Sequence, residues 1–133
     1  MPDRDLMLHH LDATAQAELV RRSEVSPQEL VEAAIARIEQ LDPAINAVPI
    51  RLFAEARTGT CSADPPPAPF RGVPFLLKDV GTALAGQPSY MGNRALRDAD
   101  YRAPRDHRLA LRFRAAGLVT LGKSAVPEFG IVP

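Results

Sequence analysis

Val31, Ala34, Ile35, Ile38 and Leu41 recur three or four positions apart, the spacing that lays one apolar stripe along a helix. The segment has a defined start. Ser26-Pro27-Gln28-Glu29 sets a capping serine first, proline at the first helical position and glutamate at the third, so that the hydroxyl and the carboxylate satisfy backbone N–H groups reciprocally. Asp42-Pro43 is the expected end, because proline disfavours the helical conformation of the residue before it. A shorter helix is expected from Ala13 to Arg22, with Asp12 as its cap and Leu19 and Val20 as its apolar edge. The joint Ser23–Val25 is short, so the two helices form an antiparallel or angled pair.

Beyond this pair the pattern changes. Asn46 to Ile50 suits a short strand, and Arg51 to Arg57 a further helical turn or two. Thr58 to Pro69 is a turn-rich surface loop holding Pro65, Pro66, Pro67 and Pro69. The apolar run Val73-Pro74-Phe75-Leu76-Leu77, bounded by Gly72 and Lys78-Asp79, reads as a buried strand with Pro74 at its start or at a bulge. Val80 to Arg105 has no periodicity, and a connection of that length in a small domain lines a site or lacks its packing partners. Asp106 is positioned to cap a helix with Leu109, Phe113 and Ala116 as its core face and Gly117 as its stop. Leu118-Val119-Thr120-Leu121 then reads as a second buried strand. Strand, crossover helix and strand predict an α/β fold with parallel neighbours in one domain, residues 1–133.

Composition narrows the function classes. The chain has 133 residues, with 16 Lys+Arg against 16 Asp+Glu. A neutral balance gives no electrostatic case for a nucleic-acid partner or an anionic membrane. One cysteine, Cys61, excludes an intramolecular disulfide. The charged start Met1–Asp5 is unlike a secretory signal, no apolar run reaches membrane-span length, and a cytoplasmic protein is expected. Of the cations only Lys78 and Lys123 are lysines. Arginine keeps its proton in a protein whereas a buried lysine can lose it, so two lysines among arginines are either residues of codon usage or places where that difference matters.

Several motifs invite chemistry. Gly117-Leu118-Val119-Thr120-Leu121-Gly122-Lys123-Ser124 matches the phosphate-loop pattern G-x-x-x-x-G-K-[ST] by letters. Its context is wrong: the first glycine follows a predicted helix, the intervening residues form a predicted strand, and Pro127 stands where the following helix should be under way. His9, His10 and His107 show no metal-ligand spacing, and neither a metal nor a cofactor is expected. His107 reads as a surface residue and Cys61 as an incidental thiol. The serines Ser23, Ser26, Ser62, Ser89 and Ser124 lack a nucleophile elbow. Lys78 remains. It ends a buried strand, where open α/β sheets place their sites, and partial desolvation there would favour a neutral amine able to act as general base. An ion pair of Lys78 with Asp79 or another acid, tying strand to loop, fits the same position equally well.

The segment Arg71-Gly72-Val73-Pro74-Phe75-Leu76-Leu77-Lys78-Asp79 resembles the G-V-P-F-x-x-K-D stretch of the amidase signature family. Three further stretches resemble that family in the same order: Asp12–Ala15 with Glu24–Leu30, Arg114–Gly117 leading into Leu118–Lys123, and Pro127–Gly130. Their character is similar to bacterial members acting on cyclic or short nylon-type amides. The resemblance implies an α/β/α sandwich around a large mixed sheet, incomplete in this chain. It also implies hydrolysis of a carboxylic amide C–N bond by a Ser–cis-Ser–Lys triad, in which lysine is the base through a bridging serine and a second serine attacks the carbonyl. Lys78 matches the catalytic lysine, and Lys123 a supporting lysine of a G-K-T-N segment.

The chain departs from the family pattern at Ser124-Ala125-Val126, where Thr-Asn-Thr is usual, and at Asn93, which replaces a common serine. A larger departure is that the Gly/Ser-rich segment bearing both family serines has no counterpart in these residues. The resemblance therefore implies an N-terminal portion of an amidase, with a small-molecule amide as substrate once completed, little activity of its own and a tendency to self-associate. A non-catalytic interaction module is the alternative reading, and nucleotide binding at 117–124 a remote one.

Overall fold

The computed structural model describes residues 7–60 and 67–131; the expectations for Cys61, Ser62, Pro65 and Pro66 lie outside the described residues. Helix α1, Ala13–Arg21, starts on Asp12, whose carboxylate accepts the Ala15 N–H at 2.8 Å. Helix α2, Pro27–Ile45, starts on the anticipated capping box: Ser26 Oγ accepts from Glu29 N at 3.2 Å and Glu29 Oε2 accepts from Ser26 N at 2.7 Å. Leu8, Val20, Val25 and Leu30 pack the pair together.

The expected stop at Asp42-Pro43 is overrun. Helix α2 continues through Pro43 to Ile45 and ends at Asn46, which adopts a left-handed conformation and donates its N–H to Asp42 O at 2.7 Å. Proline so close to the end removes only one backbone donor. Asp42 stabilises the overrun: its buried carboxylate accepts Ala47 N at 2.6 Å and Val48 N at 3.0 Å, and meets Arg51 Nη2 at 3.0 Å. The strand expected at 46–50 is displaced for this reason to β1, Ile50–Arg51, followed by α3, Phe53–Gly59.

Two longer strands follow, β2, Pro74–Lys78, and β3, Val119–Ser124. The sheet order is β1-β3-β2, with β1 antiparallel and β2 parallel to the central strand. Pro74 opens β2, as its missing N–H requires. Side chains alternate across the sheet. Phe75 and Leu77 join Ile50, Leu52, Leu84, Ala110 and Phe113 on one face. Leu76, Val119 and Leu121 join Val31, Ile35, Ile38 and Ala56 on the other. The result is a helix-covered sheet on both sides, an α/β/α arrangement with a small three-stranded mixed sheet.

Between β2 and β3 the chain builds helix α4, Arg94–Asp98, and helix α5, Arg108–Ala115. Two sequence expectations fail on α5. Its cap is His107, whose Nδ1 accepts Leu109 N at 3.3 Å, because the Asp106 carboxylate is engaged by Ala85 N at 2.9 Å. Ala110 and Phe113 therefore face the sheet, whereas Leu109, an expected core residue, is 41% exposed. The phosphate-loop reading also ends here. Gly117 follows α5, and Gly122, Lys123 and Ser124 lie inside β3. A Cβ on Gly122 would stand 2.3 Å from Ile50 O, so this glycine serves the close pairing of β1 with β3 rather than a phosphate cradle.

Candidate functional site

The carboxyl ends of β2 and β3 lie side by side, with Lys78 opposite Ser124 and Leu77 opposite Lys123. Ladder pairing fixes the backbone at this end, and two further bonds extend the fixation past the strand. Asp79 N donates to Ser124 O at 3.2 Å, and the Thr82 hydroxyl donates to the Lys78 carbonyl.

The two lysines receive opposite environments. Lys78 is exposed and makes no ion pair among the described residues. The partial desolvation expected of it from sequence is thus absent within the described residues. Lys123, one position earlier on the neighbouring strand, is 1% exposed. Its Nζ donates to Pro88 O at 2.6 Å and to Asp79 Oδ1 at 3.5 Å. Burial pushes the Lys123 ammonium below its ordinary value near 10.5, and the Asp79 charge opposes that push. These two contacts tie β3 to the residue after β2 and to the turn at Pro88.

Asp79 is the partner that sequence reading assigned, as one alternative, to Lys78. It belongs to Lys123 instead. The 2% exposed carboxylate also accepts Tyr90 N at 3.1 Å and Met91 N at 2.9 Å through Oδ2. A buried charge must be paired and hydrogen-bonded, and here one ammonium and two amides meet that need. One acid thereby anchors the Tyr90–Met91 part of the aperiodic 80–105 connection to the end of β2. The signal for it in the sequence was the placement of the two lysines, one at each strand end, in a chain otherwise supplied with arginine.

Asn93, which replaces a common family serine, caps α4 by accepting Leu96 N at 3.0 Å and donates Nδ2 to Glu128 Oε1 at 2.6 Å. It ties the connection to the segment after β3. A cleft of about 330 Å³ opens at these strand ends, lined by Asp79, Tyr90, Asn93, Arg94, Arg97 and Val126 among others. A larger one, about 540 Å³, lies toward the strand starts between Pro27, Gly72, Leu84 and Gly117. Lys78 lines neither cleft. Ser124 Oγ donates to Leu77 O at 3.4 Å. His107 is an exposed helix cap, as a surface reading requires. Among the described residues no group of three His, Cys, Asp or Glu could hold a metal ion, and no helix is long and apolar enough to cross a membrane.

Fold and site together define a class: an α/β/α layer whose polar, loop-fixed end is the carboxyl edge of parallel strands, the usual position of chemistry in open α/β sheets. The amidase family model matches residues 29–133, and the chain belongs to the amidase family. It is 46% identical to the 6-aminohexanoate-cyclic-dimer hydrolase of Paenarthrobacter ureafaciens over 119 residues, 90% of this chain and 24% of that protein. It is 35% identical to an acylamidase of Rhodococcus erythropolis, covering 92% of this chain and 26% of that protein. Among solved structures, 6-aminohexanoate cyclic dimer hydrolase complexed with substrate superposes with a TM-score of 0.83 at 45% identity over 90% of this chain and 24% of that one. A bacterial aryl acylamidase of the amidase signature family superposes with a TM-score of 0.81 at 34% identity, over 90% of this chain and 26% of that one. The chain thus spans about a quarter of the length of these relatives.

Proposed function

We propose that these residues form the base-bearing part of an amide hydrolase. In this reading Lys78, as the neutral amine, takes a proton from a bridging serine. That serine takes the proton of a second serine, whose oxygen attacks the amide carbonyl while backbone amides stabilise the oxyanion. Neither serine of this triad lies in residues 1–133, so the proposal assigns activity to the completed enzyme and none to this chain alone. The substrate class we favour is a cyclic or short linear amide, because the relatives at 46% identity are named for a cyclic amide.

The observation that carries the reading is the position of Lys78: it ends β2 within the Gly72–Asp79 segment that prompted the family resemblance, beside the fixed end of β3. Joining residues 1–131 to the downstream portion of a 6-aminohexanoate-cyclic-dimer hydrolase tests it. The chimaera is expected to hydrolyse the cyclic amide, and the 133-residue chain is expected to show no turnover above buffer. Turnover by the short chain that Lys78→Ala removes would overturn the division of labour proposed here.

A further inference from the structure

The strand-end cleft of about 330 Å³ has a firmly held wall and a lining that the proposed chemistry does not use. That wall is the Tyr90–Asn93 turn, fixed from three sides. The Asp79 carboxylate accepts the Tyr90 and Met91 amides, Met91 O accepts Phe129 N at 2.7 Å, and Asn93 Nδ2 donates to Glu128 Oε1 at 2.6 Å. Gly92 closes it, since a Cβ there would stand 2.6 Å from Val126 O. Two bulky residues at this corner are left-handed, Met91 at φ 49° and Phe129 at φ 51°. Such conformations are costly, persist only where the surroundings over-determine them, and cluster at ligand sites.

The charges at this cleft are unequal. Among the described residues Asp79 is the one carboxylate lining it, and its two oxygens are engaged by Lys123 and the two amides. Arg94 and Arg97, three positions apart and so on one side of α4, both line it. Arg97 meets Asp98 Oδ1 at 3.6 Å in an exposed pair, and Arg94 meets no acid among the described residues. An exposed pair of that kind is worth little and yields to a better partner. Pro49, Ala125 and Val126 add apolar atoms to the lining. We propose that the cleft binds a small organic acid, its carboxylate on the Arg94 and Arg97 guanidiniums and its apolar body against Pro49, Ala125 and Val126. A guanidinium meets a planar carboxylate through two parallel N–H bonds, a match that a neutral amide of the same shape does not offer. Lys78 lines no part of this cleft, so the site is independent of the amide chemistry proposed above.

The test titrates the 133-residue chain with hexanoate at constant neutral pH and ionic strength, with hexanamide as the neutral isostere and inorganic phosphate as the alternative anion. NMR follows the backbone amides of residues 93–97, and equilibrium dialysis of radiolabelled hexanoate gives a second reading that association of the chain does not blur. Hexanoate is expected to shift these amides saturably, and hexanamide and phosphate to bind about tenfold more weakly or less. Arg94→Gln combined with Arg97→Gln, both at exposed positions, is expected to weaken hexanoate about tenfold. Lys78→Ala is expected to leave its affinity unchanged, so failure of this site and failure of the base assignment are distinguishable. Absence of saturable binding would overturn the proposal, as would hexanamide binding as tightly as hexanoate, or unaltered affinity in the double variant. Phosphate binding as tightly as hexanoate would overturn the carboxylate class, and a loss of affinity in Lys78→Ala would overturn the placement.

Discussion

At the scale of single residues, burial divides two chemically identical side chains into different tasks. Lys123 is enclosed and committed to protein partners, and Lys78 is presented to the outside. Removing one member of a buried pair leaves the other charge stranded, so Lys123→Met is expected to destabilise the fold by about 3 kcal/mol, measured as a lower denaturant midpoint. Replacing both members with Asp79→Asn and Lys123→Met should recover part of that loss. The pH dependence has a definite sign. The folded state holds Lys123 below its ordinary value near 10.5, so between those two values the unfolded chain binds more protons, and stability from this group rises with pH. The rise should be missing in Lys123→Met. Asp42 works in the opposite range. Arg51 first, then the Val48 and Ala47 amides, hold its carboxyl below 3.8. Its contribution is present above that value and is lost as pH falls through the folded value, and Asp42→Asn should flatten the acid limb of a pH–stability curve.

At the scale of elements, local chemistry was most legible where a backbone group has one obvious partner. The Ser26-Pro27-Gln28-Glu29 box, the Asp12 cap and proline at the start of β2 were readable because each rule involves residues a few positions apart. Ser26→Ala is accordingly expected to cost about 1 kcal/mol, read from thermal or denaturant unfolding. The misreadings share a cause, a partner distant in sequence. Pro43 stays helical because Asp42 collects amides from residues that follow and a cation from β1. Asp106 could not cap α5 because Ala85, 21 residues upstream, had taken it. Lys123 was legible as an unusual residue but not as the partner of Asp79, 44 positions away. Gly122 belongs to the same group. Its lack of a side chain is explained only by Ile50 O, and Gly122→Ala should separate β1 from β3, seen as lost amide protection at Ile50 and Leu52.

For the whole molecule, the decisive quantity is the proportion of an amidase that is present. The parallel strands, the helices on each face and the strand end carrying Lys78 belong to one quarter of the relatives' length. Within the described residues β2 has a strand on one side alone, and Leu109, Leu111, Phe129 and Ile131 are exposed. An unpaired strand edge and exposed apolar residues each favour association. The 133-residue chain should sediment as a concentration-dependent mixture of species larger than a monomer, whereas a single monomeric boundary across concentrations would show that these surfaces do not pair.

The base assignment of Lys78 is tested most directly by single-turnover amide hydrolysis in the completed chimaera carrying Lys78→Ala. Loss of a positioned general base is expected to lower the rate of the chemical step about a hundredfold to ten-thousandfold, with substrate still bound. A rate near that of the unsubstituted chimaera would contradict the assignment and return Lys78 to the role of a surface cation.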